Sequence, residues 1–280
     1  MTQVAFTKMH GLGNDFVIVD GRDGDLAIGG TQARAIGDRR RGVGFDQLLI
    51  LEPAKDAAAD LFMRILNPDG SEAEACGNGT RCVAARVMDE LGRDTLNIET
   101  VAGVLATTTG ADGLVTVDMG PANLEWRQIP LAVEADTLHL DIENGPLRDP
   151  VAVNIGNPHM VFFVDDADAI DVAGLGPALE SHPLYPERTN VEICSLSGPD
   201  QLRMRVWERG AGITQACGSG ACAAVVAAAR RGLTGRRVET VLDGGPLNIE
   251  WREDGRVLMT GPVATSFEGT LGPELLAGGA

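Results

Sequence analysis

Lysine is nearly missing from this sequence. Of its 23 basic residues, only Lys8 and Lys55 are lysines and the rest are arginine. A mechanism that builds a Schiff base on a lysine amine therefore has two candidates, and neither sits in a sequence context that suggests pyridoxal phosphate. Positive charge is scarce altogether. The 23 Lys and Arg stand against 40 Asp and Glu, a formal net charge of −17, which leaves no electrostatic footprint for a phosphate backbone and argues against nucleic acid as a partner. Long hydrophobic runs are missing too. The longest, Ala221 to Ala229, is far short of the roughly 20 residues that span a bilayer, so no membrane partner is expected. The first ten residues show no basic stretch followed by an apolar one, so no signal peptide is expected. There is no Cys-x2-Cys, and the spacings Cys76-x5-Cys82 and Cys217-x4-Cys222 each run into a helical pattern, so no metal site is expected. No Walker loop and no intact Gly-x-Gly-x-x-Gly occurs, so the glycine-rich turns do not by themselves argue for a nucleotide. Five cysteines, an odd number, read as free thiols in a cytoplasmic protein.

What the sequence does contain is a repeat. Met63-Arg64-Ile65-Leu66-Asn67 aligns with Met204-Arg205-Val206-Trp207-Glu208, and Ala75-Cys76-Gly77-Asn78-Gly79 with Ala216-Cys217-Gly218-Ser219-Gly220. Gly120-Pro121 aligns with Gly261-Pro262, and all three pairs are offset by 141 residues. Upstream, Gly13-Asn14 matches Gly156-Asn157 and Asp46-Gln47-Leu48-Leu49-Ile50 matches Thr189-Asn190-Val191-Glu192-Ile193, at offsets of 143. Matches in one order at nearly constant offset mark two homologous halves, joined near 121–150, where the chain is rich in proline and acid and has no helical pattern. We expect an N-terminal half over 1–120 and a C-terminal half over 121–263.

Each half reads as short strands with one notable helix. Phe16 to Val19, Leu48 to Leu51, Leu61 to Leu66 and Leu114 to Asp118 are strand-like. After Cys76, the residues Val83, Ala84, Val87, Met88 and Leu91 recur at helical spacing, and Gly92 is a stop. After Cys217 comes a helix that is apolar all round and should be buried, ending in Arg230 and Arg231, which suit the negative end of its dipole. The fold class expected is α/β (α+β): two pseudo-symmetric domains, each a curled strand layer or partial barrel around a central helix, with the active site in the cleft between them.

Both halves run strand, loop, Cys-Gly-x-Gly, helix. Glycines at a helix start let a backbone approach a ligand, and the free N–H groups there bind a carboxylate. A cysteine at that place feels the positive end of the dipole, which lowers its thiol pKa. Cys82, Cys194 and Cys222 lie in apolar patterns and should simply pack, whereas Cys76 and Cys217 lie in glycine-rich turns that are poor places to bury a thiol. Two such thiols on opposite faces of one carbon could remove a proton and deliver another, inverting the centre. The carbanion would be helped by N–H groups on the α-carboxylate and would need no cofactor.

Longer motifs resemble a known family. Phe6-Thr7-Lys8-Met9-His10-Gly11-Leu12-Gly13-Asn14-Asp15-Phe16 and Asn67-Pro68-Asp69-Gly70-Ser71-Glu72-Ala73-Glu74-Ala75-Cys76-Gly77-Asn78-Gly79-Thr80-Arg81-Cys82 resemble signatures of the diaminopimelate epimerases. So do Gly156-Asn157-Pro158-His159, Arg188-Thr189-Asn190-Val191-Glu192, Glu208-Arg209-Gly210 and Ala216-Cys217-Gly218-Ser219-Gly220-Ala221-Cys222. The resemblance implies an isomerase that interconverts LL- and meso-2,6-diaminopimelate in lysine and peptidoglycan precursor synthesis, without a cofactor or metal, as a homodimer, and it implies that residues 264–280 return to join the N-terminal half. It implies that Cys76 and Cys217 exchange the roles of base and acid, that His159 and Glu208 tune the thiols, each near one cysteine, and that Glu208 also meets the reacting ammonium. Substrate contacts implied are the amides of Asn14, Gln47, Asn67, Asn157 and Asn190, Arg209 on the distal carboxylate, and backbone N–H groups at Gly77-Asn78 and Gly218-Ser219. The same two-thiol architecture is similar to that of proline and hydroxyproline racemases, which would not be expected to carry the asparagine-rich set or Arg209.

Overall fold

The computed structural model describes residues 4–24 and 26–278. The chain forms two compact units, one of Met1–Val117 with Gly261–Ala280 and one of Asp118–Thr260.

In unit 1 the chain runs β1 (Val4–Gly11), β2 (Asn14–Asp20), α1 (Gly30–Gly37), β3 (Gln47–Glu52), β4 (Leu61–Leu66), β5 (Glu72–Ala73), α2 (Gly77–Leu91), β6 (Thr95–Thr100), β7 (Gly103–Thr109) and β8 (Val115–Pro121). β1 and β2 are antiparallel, β2 and β3 parallel, β3 and β4 antiparallel, β4 and β6 parallel, and β6, β7 and β8 antiparallel in turn. β2 and β3 are buried on both faces, because their alternate side chains enter two different clusters. Phe16, Ile18, Leu49 and Leu51 pack with Val83, Ala84, Val87 and Met88 of α2. Val17, Val19, Leu48 and Ile50 pack with Ala33 and Ile36 of α1. Burying one such side chain contributes about 1.5–3 kcal/mol, so the period-two alternation holds a helix on each face.

Unit 2 repeats the order. After β9 (Glu143–Asn144) and β10 (Leu147–Arg148) come β11 (Val151–Asn154), β12 (Pro158–Phe163), α3 (Val172–Glu180), β13 (Asn190–Gly198), β14 (Gln201–Glu208), β15 (Gly212–Ile213), α4 (Gly218–Arg230), β16 (Arg237–Leu242), β17 (Gly245–Trp251) and β18 (Arg256–Gly261). The pairings match those of unit 1: β11 with β12 antiparallel, β12 with β13 parallel, β13 with β14 antiparallel, β14 with β16 parallel, β16 with β17 and β17 with β18 antiparallel. The short β5 and β15 pair with β4 and β14 just before each central helix. Met160, Phe162, Val191 and Ile193 pack with Val172 and Leu179 of α3. α4 is buried on every side, from Gly220 through Ala228. At its end Arg230 reaches the Ala152 carbonyl at 3.2 Å.

The last strand, β19 (Ala264–Leu271), returns to unit 1 and pairs antiparallel with β1, and α5 (Pro273–Leu276) follows it. The stretch 121–150 is not a linker. Ile129, Leu131, Leu140, Ile142 and Leu147 are buried in the α3-side core of unit 2. These apolar residues come as isolated pairs two apart, Ile129 with Leu131 and Leu140 with Ile142, too short a run to read as a strand or a helix.

Candidate active site

Each central helix begins at a cysteine. Cys76 is the N-cap of α2, with extended backbone (φ −151°, ψ 102°), and its Sγ accepts a hydrogen bond from the Gly79 N–H at 3.3 Å. Cys217 caps α4 in the same way (φ −112°, ψ 107°), accepting from the Gly220 N–H at 3.3 Å. A thiol here does the work that serine or aspartate usually does at an N-cap. The N–H groups of Gly77-Asn78 and of Gly218-Ser219 occupy the first turn of each helix, where no intrahelical acceptor exists for them. α2 ends at Gly92, whose left-handed backbone (φ 62°) terminates the helix where expected.

Around the Cys76 turn, unit 1 places amides. Asn78 donates to Asn14 Oδ1 at 3.2 Å, and Asn14 Nδ2 donates to Asp46 at 2.9 Å. Gln47 donates to Asn67 Oδ1 at 3.2 Å, and Asn67 donates to Ser71 Oγ at 3.0 Å. Asp46 and Asp15 are themselves fixed by Arg39, which meets both at 2.7 Å, and Lys8 also holds Asp15. Burial pushes the Asp15 carboxyl up, but hydrogen bonds from Arg39 and Lys8 outweigh it and bring its pKa down to about 2. Lys8 is thus a structural cation.

The Cys217 turn is surrounded differently. His159, on β12, is fully buried; its Nδ1 contacts Glu192 Oε1 at 2.7 Å and its Nε2 contacts Asn157 Oδ1 at 2.7 Å. Asn190 donates to the Pro158 carbonyl at 3.0 Å and accepts from the Arg209 N–H at 2.9 Å, while the Arg209 guanidinium meets the Glu187 carbonyl at 3.1 Å. Ser219 Oγ lies 3.7 Å from Cys217 Sγ. Glu208 accepts from Thr214 Oγ1 and also meets Cys217. Burial raises the Glu208 pKa, its bond to Thr214 lowers it, the Glu192 charge raises it and His159 lowers it. His159 and Glu208 therefore act on one another within unit 2.

Two expectations are corrected here. Cys217 is not an open thiol in a glycine turn but a buried one, 5% exposed. Nor is its pKa lowered by the helix start: burial, joined by the charges of Glu208 and Glu192, pushes it well above the usual thiol range. The Gly220 N–H and Ser219 favour the thiolate, but they are outweighed. Cys76, by contrast, is half-buried. Cys82, Cys194 and Cys222 are buried, and burial takes the Cys82 thiol up to about 12.

Residue by residue, the two turns correspond. Asn14, Gln47, Asn67, Gly77 and Asn78 in unit 1 occupy the places of Asn157, Asn190, Glu208, Gly218 and Ser219 in unit 2, at the offsets of 143 or 141 residues seen in the sequence. Sequence reasoning missed Glu192 and Thr214. Glu192 had a signal, an acidic residue between Val191 and Ile193 in an otherwise apolar strand. Thr214 had none. Among the described residues, no group of three or more His, Cys, Asp and Glu side chains could hold a metal ion.

The sequence profile described as "Diaminopimelate epimerase" matches residues 6–125 and 151–266. The chain belongs to the diaminopimelate epimerase family. A diaminopimelate epimerase of Rhodospirillum centenum is 62% identical over 273 residues, covering 98% of this chain and 94% of that protein. One from Acidiphilium cryptum is 53% identical over 272 residues, covering 97% and 98%. Among solved structures, a PhzF-family phenazine biosynthesis protein from Enterococcus faecalis aligns with TM-score 0.70 at 16% identity over 97% of this chain and all of that one. A hydroxyproline epimerase from Agrobacterium vitis, solved with bound trans-4-hydroxy-L-proline, aligns with TM-score 0.68 at 18% identity over 99% and 95%. Those two share the fold of the diaminopimelate epimerase family, and at such identities they speak to fold alone.

Proposed function

We propose that the protein is a cofactor-independent isomerase that interconverts LL- and meso-2,6-diaminopimelate, with Cys76 and Cys217 as the two acid–base groups. The observation that carries this reading is the family membership over nearly the whole chain, at 62% identity to a diaminopimelate epimerase. The cysteine at the start of each central helix supports it.

One thiolate takes the α-proton of the substrate and the other thiol gives a proton to the opposite face of the same carbon. One C–H bond breaks, one forms, and the two cysteines end with their protonation states exchanged. The amino-acid carbanion is strongly disfavoured, and N–H groups aimed at the carboxylate oxygens, where the charge develops, reduce that cost. Gly77, Asn78, Gly218 and Ser219 supply them. Cys217, buried beside two carboxylates, holds its proton at neutral pH and is suited to be the donor in one direction. The substrate ammonium brings positive charge toward Glu208, which offsets the carboxylates and lets Cys217 serve as the base in the other.

Arg209 grips the distal carboxylate, and the five amides Asn14, Gln47, Asn67, Asn157 and Asn190 satisfy a substrate with four charged groups without adding charge of their own. His159 and Glu208 tune the thiols. The reaction needs both thiols reduced, which fits the cytoplasm, and the enzyme works as a homodimer in lysine and peptidoglycan precursor synthesis.

The test is exchange of the α-hydrogen of LL-diaminopimelate with solvent deuterium by reduced protein with no added cofactor. The expected result is deuterated meso product. Folded protein that gives neither exchange nor meso isomer would refute the reading, and turnover of proline instead would replace it with the racemase alternative.

A further inference from the structure

Unit 2 buries a carboxylate where unit 1 has an aliphatic side chain. The parallel pairings set Phe16 opposite Gln47 in β2–β3 and His159 opposite Asn190 in β12–β13. Two residues further along β3 and β13 lie Leu49 and Glu192. Phe16 and Leu49 of unit 1 thus hold the places of His159 and Glu192 in unit 2, on the side that faces the central helix.

The contacts with the cysteine turns agree. A Cβ on Gly79 would lie 3.0 Å from Leu49 Cδ1 and 3.3 Å from Cys76 Sγ; a Cβ on Gly220 would lie 2.8 Å from Glu192 Oε1 and 3.1 Å from Cys217 Sγ. One frame closes its turn against a phenyl–isobutyl pair, the other against an imidazole–carboxylate pair. Unit 1 shows that the frame folds around the apolar pair. The charged pair carries a desolvation cost that an apolar pair avoids, and Glu192 Oε2 is buried without a hydrogen-bond partner. A cost of this kind, present at one of two corresponding cysteine turns, points to the reaction rather than to folding.

We propose that Glu192 is a positioning residue for the epimerisation: it fixes the His159 ring through Nδ1, and it sets a buried negative charge beside the Cys217 turn, where the Cys76 turn has Leu49. The proposal rests on the two-thiol reading above. The groups that face Glu192 are His159 from β12, Glu208 from β14, Cys217 from the start of α4, Tyr185 from the loop after α3, and Cys194 on its own strand. Of these only His159 can carry positive charge, so the negative charge of Glu192 and Glu208 opposes ionisation of the thiol. The two turns are thereby unequal, and Cys217 keeps a proton to give.

The experiment is Glu192→Gln, which keeps the shape of the side chain and removes its charge. The rate of Cys217 alkylation by iodoacetamide is followed against pH in a Cys76→Ala background, with the modified site identified by peptide mass. In parallel, kcat and KM for diaminopimelate are measured with both cysteines present. The expected result is a Cys217 midpoint lower by about one pH unit or more, as for removal of a like charge at close range, with kcat down at least tenfold and KM changed less than twofold. The double variant His159→Phe with Glu192→Leu, which installs the pair unit 1 uses, is expected to fold and to show the same two changes. A midpoint and kcat equal to the parent's in either folded variant would overturn the proposal. So would failure of both variants to fold, which would make the pair structural. The alkylation profile needs no substrate, so it fails or stands independently of the deuterium exchange that tests the activity.

Discussion

Gly220→Ala tests the geometry of the Cys217 turn by adding one methyl group. The added Cβ would stand 2.8 Å from Glu192 Oε1 and 3.1 Å from Cys217 Sγ, where ordinary contact begins near 3.4 Å. The oxygen must retreat by about 0.6 Å and the sulfur by about 0.3 Å on these distances. Neither is free to do so. Glu192 Oε1 is held at 2.7 Å by His159 Nδ1, and the sulfur accepts the Gly220 N–H at 3.3 Å. Overpacking of this sort costs about 1–3 kcal/mol, and replacing glycine by alanine within a helix returns about 0.5–1 kcal/mol. The net is a loss of roughly 0–2.5 kcal/mol, centred near 1 kcal/mol, or about 4 °C in Tm for a unit of this size.

Activity should suffer more than stability. A misplacement of about 1 Å costs on the order of a hundredfold in rate, so a shift of a few tenths at the thiol predicts a loss of roughly tenfold in kcat. Gly79→Ala is the control. There the tight neighbours are the methyl groups of Leu49 at 3.0 and 3.3 Å and Cys76 Sγ at 3.3 Å, and a leucine can turn aside more readily than a hydrogen-bonded carboxylate. Differential scanning calorimetry and steady-state kinetics on the two variants decide the matter. Gly220→Ala with parental kcat and a raised Tm would refute the close approach of Glu192 to the turn.

Cys76→Ala and Cys217→Ala should each reduce epimerisation by a factor of at least about a hundred, as for loss of a positioned acid or base; full activity of either in a meso-product assay would remove the two-thiol mechanism. Asp15→Asn should lose about 2 kcal/mol at neutral pH, from the difference between a carboxyl held near 2 in the fold and its ordinary 3.8. In the parent that stability is present above pH 3.8 and lost as pH falls toward 2, so urea titrations should show the variant's stability varying less with pH over this window. Glu208 has the opposite sign: its raised pKa means the folded chain binds more protons than the unfolded one above pH 4.5, so stability falls as pH rises through the folded pKa. Glu208→Gln should flatten that decline in thermal unfolding. Gly92→Ala should cost about 1 kcal/mol, because the position is left-handed although space for a Cβ is open, and a Tm unchanged within error would contradict it.

Legibility in the sequence followed local constraint. The helices after Cys76 and Cys217 were readable because a cap, two glycines and an apolar period act within a few residues, and they fall at Gly77–Leu91 and Gly218–Arg230. The repeat was readable because the frame kept its turns. The state of Cys217 was not, since it depends on residues brought together by the parallel β12–β13 register, which joins His159 to Glu192 across 33 positions. A helix-start argument sees the N–H dipoles and misses the carboxylates. β19 was equally silent in its local pattern, because six of its eight residues are exposed and its sequence has no alternation to read, and only the family resemblance assigned 264–280 to the first half.

The duplication also supplies a reason for the asymmetry. Backbone donors at the helix starts were kept in both copies, as any ligand bound by its carboxylate would require. Side chains diverged by charge: where unit 1 has Asn67, Phe16 and Leu49, unit 2 has Glu208, His159 and Glu192. Amides surround the Cys76 turn, with the buried Arg81 further along α2, whereas the carboxylates of Glu208 and Glu192 act on Cys217. A two-base reaction that started from two equal thiols would have no preferred donor, and both would be protonated or ionised together as pH changed. On the two-thiol reading proposed above, the charged side chains of one copy let a single frame, used twice, hold one thiol as the acid while the other awaits the proton.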